Sequence, residues 1–289
     1  MGIAAPKPKT IEAEKFVLLG ADGKTRGVWG EYKVGTVGLE VLDKNGTSRL
    51  RLGADEDDSM GLGLSDTKGK LRMGLGVTQE STGLSVGDQN GELRVSLTVN
   101  ENQTGLSIHD KKGKLRAGLG DAQGKSILEL RDENGRPRAG LRVTGDVPEL
   151  WLADNNRAKR VFICVSENEP VLRLADENGK RRAEMFFSEG EPGLRLLDKN
   201  EQPRVAMLAA DDVWNFGLWD GKGKARAGLM FVALTGPCLS LYDENEKVQL
   251  VLYVDDEGAG ARVQDEKGTI IWEAPPPEDE SADAEAGEE

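Results

Sequence analysis

Few side chains in this sequence could do chemistry, and most of them recur at a fixed interval. Trp151 and Phe162 stand where sister repeats mostly carry Ser, Gly or charged residues, and Trp219 and Tyr242 each stand one residue before a repeating Asp. Exposed rings of this kind stack against sugar rings or partner proteins. Trp151 and Phe162 are expected opposite one another as an exposed outer pair, and Trp219 opposite Arg226 in a cation–π arrangement. These five residues are the candidate binding residues. An Arg also recurs six residues after the repeat's anchor position, Gly20 in the first repeat and Asp in the others, in ten of twelve repeats, from Arg26 through Arg226. Stacked, it forms either a solvated, partly paired ladder or an anion-binding stripe for phosphate or sulfated glycans. The Asp-x-Asn-Gly runs, as at Asp132 to Gly135, match fragments of a calcium loop. No downstream Glu completes a ligand set, and a tight turn needs the same residues, so no metal and no cofactor is expected. His109 is the single histidine. With no second His, no glycine-rich phosphate loop and no distinctive nucleophile, the chain is not expected to be an enzyme.

The elements that must position these residues follow from the interval. Taking Gly20, Asp43, Asp66, Asp88, Asp110, Asp132, Asp154, Asp176, Asp198, Asp220, Asp243 and Asp265 as anchors gives twelve repeats of 22 or 23 residues. Residues four and two before each anchor, and seven and nine after it, make 48 positions, of which only Gly27 is neither aliphatic, aromatic, Met nor Ala. Leu84 and Val86 alternate with Ser85, and Val95 and Leu97 with Ser96. That period of two predicts two short strands per repeat with one apolar face. Asp, Asn and Gly between them predict a hairpin. Matching the apolar columns requires the residue two before the anchor to face the one seven after it, which implies a four-residue loop. A three-residue loop with a Gly bulge would break that match.

A hairpin with one apolar face is not stable alone, so the array must be wrapped, folded over or covered by another chain. The predicted fold is all-β: about twelve tandem hairpin repeats stacked as an elongated β-solenoid or spiral. Spacing of about 5 or 10 Å per repeat gives a body of roughly 60 to 120 Å. A trimeric or dimeric prism with shared cores is the alternative. Phe16 and Trp29 in the first repeat, and Ala261 and Trp272 in the last, are expected to cap the ends.

Domain organisation reads as a flexible N-terminal segment over 1–12, a twelve-repeat domain over 13–273 and a disordered Pro-rich and acidic tail over 274–289. Net charge is −13, of which the seven acids in Glu278 to Glu289 supply more than half. The remainder offers no general attraction for nucleic acid. No apolar run is long enough for a signal peptide or membrane span, so a cytoplasmic location is expected. Cys164 and Cys238 sit at unlike columns and are not expected to form a bridge or metal pair.

The unit Leu-x-Leu-x-Asp-x-x-Gly-Lys-x-Arg-Ala, with turns such as Asp176-Glu177-Asn178-Gly179-Lys180, resembles uncharacterised bacterial tandem hairpin-repeat proteins over nearly the whole chain. In layout it is similar to choline-binding and cell-wall-binding repeats and to the Tyr-Asp repeats of large toxin shells. That resemblance implies hairpin stacking and carries no ligand with it. The functional expectation is a noncatalytic scaffold whose repetitive surface meets protein partners, in a chain that could form a homo-oligomer. A carbohydrate or cell-surface binding module using the aromatics of repeats seven to eleven is the alternative.

Overall fold

The anchor Asp builds the hairpin turn in eleven of the twelve repeats. In the second repeat, Asp43 Oδ1 accepts the backbone N–H groups of Asn45 at 2.8 Å and Thr47 at 3.0 Å. The Asp43 N–H donates to the Thr47 carbonyl at 2.9 Å, and the Gly46 N–H donates to the Asp43 carbonyl at 3.0 Å. Gly46 has φ +83°, which costs glycine nothing. The loop is therefore the three-residue type. The strand then restores the face: Leu42 pairs with Ser48 but Val41 with Leu50, so Arg49 is an extra, bulged residue. The expected column match holds, while the expected four-residue loop does not. The added residue lies one step beyond the turn, at the Arg column. Gly87 with Leu93 and Val86 with Val95 repeat the arrangement around Arg94. Successive hairpins join through tight turns, such as Gln123-Gly124 with φ 54° and 71° between the paired residues Ala122 and Lys125. Positive φ at both central residues matches the twist of the flanking strands.

The structure is a computed structural model and describes residues 10–274. Residues 1–9 of the expected N-terminal segment and 275–289 of the expected tail lie outside them. The strands fall into two units, one ending at Gly145 and the other starting at Asp146. The first holds β1 (Lys15–Leu19), β2 (Thr25–Lys33), β3 (Thr36–Leu42), β4 (Ser48–Ala54), β5 (Met60–Ser65), β6 (Leu71–Val77), β7 (Ser81–Gly87), β8 (Leu93–Asn100), β9 (Gln103–His109), β10 (Leu115–Ala122), β11 (Lys125–Arg131) and β12 (Pro137–Thr144). The second holds β13 (Val147–Ala153), β14 (Lys159–Ser166), β15 (Glu169–Ala175), β16 (Arg181–Ser188), β17 (Glu191–Leu197), β18 (Pro203–Ala209), β19 (Val213–Trp219), β20 (Ala225–Val232), β21 (Gly236–Tyr242), β22 (Val248–Asp255), β23 (Gly258–Gln264) and β24 (Ile270–Ala274). The fold is the all-β hairpin array that the repeat predicts. Within each unit, every strand pairs antiparallel with the strands before and after it and packs against no others.

Each sheet is one layer and is not closed. Consequently the apolar columns are not an enclosed core. They line one face, and among the described residues no large side chain is fully buried. The expected end plugs stay open for the same reason: Trp29 is 66% and Trp272 54% exposed, because an open sheet has no end cavity to fill.

Where the repeat loses its turn Gly, the backbone keeps the same conformation. Arg157 holds φ 70°, and its N–H still donates to the Asp154 carbonyl at 3.1 Å. A non-glycine residue pays for this region with steric crowding at Cβ. Arg157→Gly is therefore expected to stabilise the protein by about 1 kcal/mol, seen as a higher denaturant midpoint at unchanged slope.

Candidate interaction surface

One face of each unit is a set of continuous apolar rows. In the first unit, Leu39, Leu52, Leu62, Leu75, Leu84, Leu97, Leu106, Leu119, Leu128 and Leu141 stand one per strand from β3 to β12, each directly opposite the next. In the second, the corresponding row runs from Leu150 through Ile163, Leu172, Met185 and Leu194 to Met207 and Phe216. These rows face outward: Leu119 is 54% and Met185 56% exposed. The buried side chains Val28, Trp151, Cys164, Glu184 and Ser240 all stand on the opposite, mainly polar face. Each apolar face also carries an aromatic pair. Phe16 and Trp29 meet at 6.1 Å between ring centres, and Trp214 stacks on Phe231 at 5.7 Å with the planes 6° apart. The column positions of Phe16 and Trp29 are evident from the repeat. Trp214 lies six residues before its anchor, beyond the four columns, and a period-two count carried one step further would have found it.

The five residues proposed from sequence lie on the other face or at its margin. Trp151 and Phe162 do pair across β13 and β14, but Trp151 is only 6% exposed. The Lys159 Nζ lies 5.6 Å from the centre of the Trp151 ring and 5.4 Å from that of Phe162, and it is tied to Glu149 at 3.5 Å. Trp151 of the expected exposed pair is thus buried, and Phe162 is half-buried. Trp219 pairs with Ala225 rather than Arg226, which is the bulged residue, and its ring lies over Gly217, where no Cβ would fit. Arg226 turns instead to the Asp220 carboxylate and the Asp243 carbonyl. Tyr242 is half-buried opposite Val248. Trp151 and Trp219 lie six strands apart, roughly 30 Å, so they do not form one platform.

The Arg column acts as a staple. Arg94 reaches Asp88 Oδ2 of its own repeat at 3.4 Å and donates through Nε to the His109 carbonyl of the next at 3.0 Å. Arg72 does the same with Asp66 at 3.7 Å and the Gly87 carbonyl at 3.1 Å, and Arg160 with Asp154 at 3.2 Å and the Ala175 carbonyl at 2.7 Å. Guanidinium groups so engaged form a linked ladder rather than a free anion stripe. In the turns, Oδ1 of the anchor Asp accepts backbone N–H groups, as at Asp88, Asp110, Asp132 and Asp220. Among the described residues no group of three or more His, Cys, Asp or Glu gathers as a metal site, and both cysteines are free. A groove of about 410 Å³ includes Ser96, Ser107 and Gly118 in its lining, and the two hydroxyls bond one another at 2.6 Å. Its lining contains no His or Cys.

These contacts lower the pKa of all eleven anchor Asp residues. The Lys224 N–H is the strongest influence on Asp220, opposed by desolvation and reinforced by the Lys222 N–H and Arg226. The result is a pKa lowered from 3.8 to about 2. At Asp43, Asp66, Asp154 and Asp176 desolvation is the largest single influence and acts upward, yet the paired N–H donors and the nearby Arg outweigh it.

No protein-family model and no curated protein matches the chain. Among solved structures, the Photorhabdus luminescens Tc holotoxin pore is similar at 9% identity and TM-score 0.21, over 91% of this chain and 17% of that one. A functionally unknown protein from Desulfotomaculum acetoxidans is similar at 8% identity and TM-score 0.19, over 86% of this chain and 92% of that one. This chain therefore spans about a sixth of the toxin chain's length. Likenesses at these scores carry no argument about function. Among the described residues no helix is long and apolar enough to cross a membrane.

Because the anchor carboxyls are depressed in the folded state, their contribution is complete above the unfolded value near 3.8 and is lost as pH falls through the folded values, down to about 2 at Asp220. Denaturation followed from pH 6 downward is expected to show stability nearly flat to about pH 5 and falling steeply below about pH 4, with net proton uptake on unfolding. Asp110→Asn, which keeps an acceptor for the turn but no charge for Arg116, is expected to flatten that fall slightly. Asp110→Ala, which loses both, is expected to lower stability at neutral pH as well.

Proposed function

We propose that this chain is a noncatalytic structural protein that assembles with protein partners through its repetitive β surface. The observation that carries this reading is the open apolar face of each unit, continuous along the leucine rows and marked by the Phe16–Trp29 and Trp214–Phe231 pairs. Contiguous exposed apolar area beyond a few hundred Å² marks interaction sites on soluble proteins, and buried aromatics dominate binding energy at such sites. The candidate residues for a glycan platform are separated along β13 to β21 and are covered or engaged by their neighbours. That distribution favours the scaffold reading over a carbohydrate-binding module.

A photo-crosslinking amino acid placed at Trp214 on the apolar face, and separately at Val251 on the other, tests this in cells expressing the full chain. Protein adducts from position 214 and few or none from position 251 are the expected result. No protein adducts from 214, or equal yields from both positions, would remove the scaffold reading.

A further inference from the structure

The apolar face of the first unit has the size, chemistry and repeat spacing to identify its own partner. Stable domains are built from at least two layers, so that each sheet buries its oily face against another element. Here β1 to β12 form one layer, and within the unit nothing packs on the row from Leu39 to Leu141. Twelve strands about 4.8 Å apart, each contributing about 20 Å of width, present a face on the order of 1,000 Å². A stable complex needs about 800 Å² per partner. The face is therefore large enough by itself.

We infer that this face packs against the same face of a second copy of this chain, and the inference rests on the scaffold reading above. Three observations select a second copy. The four apolar columns of β3 to β12 contain no charged residue, so charge complementarity cannot select a different partner. The polar groups lie in the turns, where Asp, Lys and Glu side chains form a wet margin around an apolar centre, the anatomy of a protein interface. Finally, the row places one leucine on each successive strand, so a matching sheet needs the same spacing over the same length. An identical chain provides that by construction. A two-fold axis lying between the sheets and parallel to them turns the second copy's apolar face onto the first and makes the contact self-complementary. Aligned sheets pack about 10 Å apart with strands crossing near −30°, which lets the two sets of leucines interdigitate.

Sedimentation equilibrium of the full chain across the micromolar range tests this. The wild-type protein is expected at twice its 31.2 kDa chain mass. Leu75 and Leu119, 43% and 54% exposed, tolerate a charge in a single sheet but not in a buried contact. The double variant Leu75→Lys with Leu119→Lys should keep its β-sheet circular dichroism and dissociate at least roughly 100-fold more readily. Thr98→Lys, on the opposite face of β8, should remain dimeric. If the lysine pair loses the β signal, Leu75→Gln with Leu119→Gln replaces it, with weakened association again expected. A monomeric wild type, a three-copy mass, or a dimer indifferent to the changes at 75 and 119 would overturn the inference. A monomeric wild type that still gives protein adducts from position 214 would sink self-association while leaving the scaffold reading standing.

Discussion

Every hairpin must carry its apolar columns across a turn that would, unaided, shift them by one residue. A three-residue loop closed by a left-handed glycine leaves Leu42 opposite Ser48, and a regular strand continuing from there would set Val41 opposite Arg49. One bulged residue cancels the slip. It must fall just beyond the turn, and it falls on Arg in ten repeats. The bulge releases that side chain from the strict in-and-out alternation of the strand. It can then bridge its own Asp and a carbonyl of the following repeat, as Arg94 does with Asp88 and His109. Register, turn and inter-repeat linkage thus share one local device.

The electrostatics follow from the same geometry. Arg groups at a fixed period along a stack would repel, yet each is placed beside a carboxylate of its own repeat at 3.2 to 3.9 Å in the wider pairs. The Asp serves two roles through its two oxygens: Oδ1 holds the turn and Oδ2 faces the Arg. Exposed ion pairs contribute little individually, so the backbone N–H donors to Oδ1 matter more for the turn than the Arg does. The polar face uses a similar economy. Glu184, only 4% exposed, receives Arg173 at 2.7 Å across one strand pair, with Arg195 at 3.8 Å across the other. Aromatic departures from the repeat are absorbed there too, with Trp151 beneath Lys159 and Trp219 over Gly217.

The placement of aromatics separates two ideas of the surface. A sugar-binding platform needs rings that share a groove and present their faces to solvent. Two of the rings that remain open, Trp29 and Trp214, instead stand among aliphatic neighbours on the apolar face, each stacked or tilted against a second ring. Rings in that setting add area to an already apolar surface.

The period of 22 or 23 residues, the Asp and Gly turn chemistry and the alternation of Leu84 and Val86 with Ser85 were sufficient for the all-β hairpin array and the pairing of its columns. These are local properties, set within one hairpin by side-chain period and allowed φ. The site was less legible. Whether Trp151 is exposed depends on Lys159 and Glu149 around it, and whether Arg226 meets Trp219 depends on a bulge that spacing alone cannot place. Above all, the apolar columns look the same in sequence whether they line an enclosed core or an open face. That distinction depends on a second layer brought from far along the chain or from another molecule, and only the tertiary arrangement, with each strand touching just its neighbours, decides it.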